Sequence, residues 1–198
     1  MIRRLSLLAA PASLLAVATA ASAAAPTVLS LNDGFVPKGT NIVCAVEISR
    51  TLLPGAKLLD CFIATSRGAV PNTYTVALAV NGEVALGRVS AKGKLTVVMK
   101  RGGGGSFVRQ RSSGAAGKVY RADVGSTYVV KGTTIACAVI KQTVGGKSGT
   151  AVTCFKLAGS GKPAPDSYGI GITNGNAFLV HFDARSKATP IKIVAHGH

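Results

Sequence analysis

Tryptophan is absent from this chain, and Phe and Tyr together make up only 5% of it. That scarcity counts against a sugar-binding module built on flat aromatic platforms. Acidic residues are also few, seven against 23 Lys and Arg. The five Asp and two Glu are scattered, and no spacing recommends a carboxylate pair of the kind glycoside hydrolysis needs. No Cys-x-x-Cys occurs, which argues against a zinc site and against thiol redox catalysis. No Gly-x-Ser-x-Gly elbow precedes the one His-x-Asp, His181 and Asp183. No metal and no cofactor is expected, and no enzyme activity.

The one long apolar run lies at the start. Met1-Ile2-Arg3-Arg4 is basic, Leu5 to Ala21 is apolar or small, and Ala21-Ser22-Ala23 ends the stretch with a small-x-small pattern. This is the three-part form of a secretory signal peptide, assigned to residues 1–23. The alternative is a retained membrane anchor, since the run approaches the ~20 residues a spanning helix needs. The first cysteine is Cys44, so a lipid-modified cysteine at the mature start is excluded. The expected location is secreted or extracytoplasmic, at the cell envelope.

The remainder is written twice. Lys38-Gly39-Thr40-Asn41-Ile42-Val43-Cys44-Ala45-Val46 returns 93 positions later as Lys131-Gly132-Thr133-Thr134-Ile135-Ala136-Cys137-Ala138-Val139. The same step carries Cys61-Phe62 onto Cys154-Phe155 and Asn81-Gly82 onto Asn174-Gly175. Four cysteines allow three pairings, and an exported chain favours disulfides. If each copy closes its own bridge, the pairs are Cys44–Cys61 and Cys137–Cys154. A loop of that size is worth about 3 kcal/mol in the chain-entropy account.

Alternation predicts strands throughout. Ile42, Cys44, Val46 and Ile48 share one face, as do Tyr74, Val76, Leu78 and Val80. Asn-Gly between two such runs predicts a type I′ hairpin turn in each copy. Phe35/Tyr128, Phe62/Phe155 and Tyr74/Tyr168 recur in register and are assigned to the core. The expected fold is all-β, a tandem duplication of a small disulfide-stapled sandwich or barrel-like domain. Copy one spans 26–100 and copy two 119–195, joined by a Gly/Ser/Arg-rich linker over 101–118.

The matching positions are Cys, Gly, Pro, Tyr, Phe and apolar strand residues; the acids and histidines do not match. Glu47 stands opposite Ile140 in the alignment, Asp60 opposite Thr153, and His181 opposite Arg88. What repeats is a scaffold. Loss of Arg3 and Arg4 with the leader lowers the formal charge only from +16 to +14. Charge of that size bears on partners more than on fold. The expected function is non-catalytic binding to, or decoration of, an anionic polymer or envelope surface. Candidate contacts are Lys38, Lys131, Lys141, Lys156, Arg101, Arg109 and Arg111. Two alternatives stand beside it: a hydrolase inhibitor presenting loops around Arg50 or Arg67, and a hydrolase using His181 and Asp183. His196 and His198 read as a frayed tail.

Overall fold

The computed structural model describes residues 25–103, 116–144 and 146–197, with the side chain of Lys147 omitted. The signal-peptide assignment, Arg109, Arg111 and His198 lie outside the described residues. Among the described residues every element is a strand. In the first half these are β1 (Thr27–Leu29), β2 (Gly34–Pro37), β3 (Ile42–Ile48), β4 (Lys57–Thr65), β5 (Gly68–Ala69), β6 (Tyr74–Ala79), β7 (Val84–Val89) and β8 (Leu95–Arg101). The second half holds β9 (Val119–Ala122), β10 (Thr127–Val130), β11 (Ile135–Val144), β12 (Lys147–Lys156), β13 (Ser167–Thr173), β14 (Asn176–Phe182) and β15 (Ala188–Ala195). Among the described residues no helix is long and apolar enough to cross a membrane.

The strands form two open sheets packed as a sandwich. One runs β1-β10-β11-β12-β13-β14-β15; the other runs β8-β7-β6-β4-β3-β2-β9, with β5 beside β4. Neither closes on itself, so the barrel alternative is not what forms. β13 and β14 face β6 and β7 across the interior. A single apolar core joins residues of both halves, including Leu29, Phe35, Ile42, Val76, Leu86, Tyr128, Ile135 and Ile170. At its centre the rings of Phe35 and Tyr128 stack 4.0 Å apart, nearly parallel.

The first strand of each half belongs to the sheet of the other. β1 pairs in parallel with β10, Leu29 opposite Val130. β9 pairs in parallel with β2, Ala122 opposite Pro37. The two junctions correspond at the 93-residue step. Lys38 N–H donates to Ala122 O and Lys131 N–H to Leu29 O, both at 2.8 Å. β2 and β10 were not foreseen, being four residues each beside Gly34, Pro37 and a Lys-Gly turn. In that turn Gly39 and Gly132 both take φ of 72°, a left-handed conformation at the third turn position that favours glycine.

The bridges are Cys44–Cys61 and Cys137–Cys154, as the spacing predicted. Each joins directly opposed residues of a hairpin, β3 with β4 and β11 with β12, and each is buried in the core. They are consistent with an oxidising compartment. The type I′ turns do not form. Val80-Asn81-Gly82-Glu83 makes a four-residue loop in which Gly82 alone is left-handed, at φ 89°. Asn174-Gly175 is closed by the Thr173 hydroxyl, which accepts from the N–H groups of Gly175 and Asn176. Phe62 and Phe155 also depart from expectation, standing on outer faces rather than between the sheets.

His196 is no frayed end. It is 5% exposed; its Nδ1 accepts from Tyr74 N–H at 3.0 Å, and its Nε2 lies 3.2 Å from Thr173 O. The chain's last residues therefore stitch β6 to β13 across the sandwich.

Candidate functional site

The exchanged strands bring lysines of both halves to one pole of the sandwich. Lys57 opens β4, where its carbonyl accepts from Val80 N–H beside the β6–β7 turn. Its ammonium donates to Lys131 O at 3.1 Å. Lys156, at the end of β12, reaches the same turn, its side chain lying against Gly82. Burial, and secondarily the charge of Lys131, lower the Lys57 ammonium below the usual lysine range. At the corresponding pole the equivalent lysine is paired with an acid. There Lys38 forms an ion pair with Asp123 at 2.9 Å, and Thr150 and Ile63 stand where this pole has Lys57 and Lys156. Ser30 occupies the place of Asp123 beside Lys131. Among the described residues Lys38–Asp123 is the only ion pair within 4.0 Å.

Of the candidate contacts, the structure thus brings together Lys131 and Lys156, and adds Lys57. Arg101 ends β8 opposite Val84, on the strand that leaves the same turn. Lys141 stands apart on the β11–β12 hairpin, hydrogen-bonded to Thr150 at 3.2 Å. Lys38 is committed to Asp123. His181 packs on the ring of Tyr168, with centroids 5.0 Å apart. Asp183 accepts from the backbone N–H groups of Lys187 and Arg185, and those bonds, led by Lys187, hold its carboxyl below the usual range. Neither residue lines a cavity of the two halves described next.

On the outer face of the first half, Glu47 and Asp60 share a cleft of about 290 Å³ with Asn32, Ser49, Arg50 and Thr51. The β3–β4 loop, 49–56, folds over this face and buries Leu52 and Leu53 against Ala56, Leu58, Ala77, Ala79 and Ala85. Burial pushes the Asp60 carboxyl up to about 7, against an opposing hydrogen bond from the Thr75 hydroxyl. Burial also raises Glu47, which the charge of Arg50 partly offsets. The pair was within reach of the sequence. With Cys44 bonded to Cys61, Ala45 must oppose Asp60 and Glu47 must oppose Leu58, so both acids point outward as diagonal neighbours. Among the described residues no group of three or more His, Cys, Asp and Glu could hold a metal ion.

The outer face of the second half is apolar. A cavity of about 300 Å³ is walled by Ile140, Phe155, Phe178, Val180, Phe182 and Ala188. Phe178 lies across Gly171, its partner on β13, where any side chain would collide with the ring. Gln142 stands in the wall, and its Oε1 is buried with no hydrogen-bond partner. A buried carbonyl left unpaired costs about 1–3 kcal/mol.

No family model matches the chain, and no curated protein matches it. Among solved structures it is similar to a protein from Lactobacillus plantarum, at 13% identity and a TM-score of 0.24. That match covers 85% of this chain and 55% of the other, so this chain spans about half of that protein's length. A likeness this weak carries no inference about fold or function.

Proposed function

We propose that this chain is an exported, non-catalytic protein that binds an anionic polymer or envelope surface through the pole formed by Lys57, Lys131 and Lys156. One observation carries the reading: three lysines from two halves converge on the β6–β7 turn, and Ser30 withholds the carboxylate that neutralises the equivalent Lys38. The chain is in this view a tandem duplication whose poles diverged in charge. Clustered cations displace the counterions of a polyanion, so binding weakens steeply with salt. Arg101 extends the same pole, and the linker cations Arg109 and Arg111 add to the positive charge of the chain.

Heparin affinity chromatography on a salt gradient tests this. The triple variant Lys57→Gln, Lys131→Gln, Lys156→Gln should elute at markedly lower salt than the parent. A charge-matched variant at Lys94, Lys141 and Lys192 should elute close to it. Equal shifts in the two triple variants would reduce the effect to net charge and remove the site.

A further inference from the structure

We infer that the cavity on the outer face of the second half is a binding site for a small, uncharged, largely hydrocarbon molecule that carries one hydroxyl or N–H donor. None of the pole lysines lines it, so this inference is independent of the proposed function.

The class of ligand follows from the wall. On a chain of net charge +16, no charged side chain among the described residues lines this cavity. An ionic ligand would therefore enter without a counter-charge, at a large desolvation cost. Phe155 and Phe182 meet edge to face, 5.6 Å between centroids, and with Phe178, Val180 and Ala188 they form a continuous apolar floor. Volume, mostly apolar walls and a few polar side chains, Thr127, Tyr128, Thr153 and Gln142, together match the pattern of small-molecule sites. The one with a buried atom lacking a partner among the described residues is Gln142. Its terminal amide torsion is soft, so a rotation presents the unpaired Oε1 to a donor on the ligand.

The other half shows what such a face accepts. Thr75 and Gly87 are paired on β6 and β7 as Gly169 and Val180 are on β13 and β14. On the first of these faces Leu52 fills the space above Gly87, brought there by the β3–β4 loop. The second half spends the equivalent residues on a hairpin that runs straight, with only residues 145 and 146 between its strands. Among the described residues this hairpin folds no loop over the face, where Gly161 of the β12–β13 loop reaches only the cavity wall, and the position of the leucine side chains is left to a separate molecule.

Titration calorimetry of the full chain with 2-naphthol and its methyl ether, 2-methoxynaphthalene, tests this directly. The two probes differ in the donor and in one methyl group, so the readout is the change in preference between parent and variant. The expected result is saturable binding at one site, with 2-naphthol preferred by about three- to tenfold, the value of one neutral hydrogen bond. Gln142→Leu should lose the preference for 2-naphthol, and Ala138→Trp, which fills the cavity, should bind neither probe. Ile140→Lys, placing a charge in the wall, serves if the tryptophan variant fails to fold and should likewise bind neither. Absence of saturable binding, binding that survives the wall variants, or a preference that survives Gln142→Leu overturns the assignment. Pro26 also lines the cavity, and an apolar segment, residues 5–21, precedes it in the sequence. If a chain beginning at Ala25 binds the probes and the full chain does not, the occupant is that segment, and the small-molecule site is overturned.

Discussion

In the first half, the sheet face turned away from the shared core holds Glu47 and Asp60 beneath a folded-back loop; in the second, the same face carries Ile140 and Thr153 and stays open over three phenylalanines. Both hairpins have a sequence separation of 17 between bonded cysteines. Equal length is used differently because composition differs. Leu52-Leu53-Pro54-Gly55 breaks the ladder, since proline lacks a donor and Gly55 turns left-handed at φ 82°. Gln142-Thr143-Val144 before Gly145-Gly146 instead favours strand up to a tight tip. The lesson is that a disulfide fixes register without fixing what covers the sheet.

The comparison breaks most readily at Phe178. Truncating it uncovers Gly171 and empties the apolar floor, so Phe178→Ala should cost about 3–5 kcal/mol in urea denaturation. A smaller loss would mean that the face collapses over the gap. Asp60 provides the counterpart. Its folded pKa, about 7, lies above its unfolded value, so the folded state holds the extra proton. Its contribution is then most favourable below about pH 4, is lost as pH rises to about 7, and is level above that. The full loss is on the order of 4 kcal/mol. Asp60→Asn should flatten that slope and raise stability at pH 8; an unchanged slope from pH 4 to 7 would remove Asp60 as its source.

Leu52→Ala should cost about 3 kcal/mol, and it should also hydrate Asp60. The two substitutions are therefore expected to be non-additive in a double-mutant cycle at pH 8, and strict additivity would separate the loop from the acid. The smallest effect falls on Gln142. Gln142→Leu removes an unpaired buried carbonyl and should stabilise the free protein by about 1 kcal/mol. A loss of stability there would show that the amide already has a use.

Much of the framework was legible in the sequence because it is local. Alternation marked the long strands, and the duplicated cysteines selected the bridge pairing. Alternation alone still misjudged β6: Thr75, Ala77 and Ala79 are buried as well as Val76 and Leu78, because the 49–56 loop covers the second face. The short strands β2 and β10 and the parallel junctions they make are non-local, and no periodicity announces them. The lysine pole depends on those junctions, so Lys57 could not be grouped with Lys131 from spacing. Glu47 with Asp60 could have been found, had the expected bridge been used to set the hairpin register.

The exchange of first strands also sets an order of events as the chain is made. Thr27 finds its partner in Tyr128, about a hundred residues downstream. At a synthesis rate of about 5–20 residues per second, β1 waits on the order of ten seconds for the strand it will lie beside. Over that interval β2 likewise presents a bare edge where β9 will dock. Pairings this distant in sequence are slow to close and leave edges open to other chains meanwhile. The first strand to emerge is thus among the last to be placed, and the nascent first half needs shelter until the second arrives.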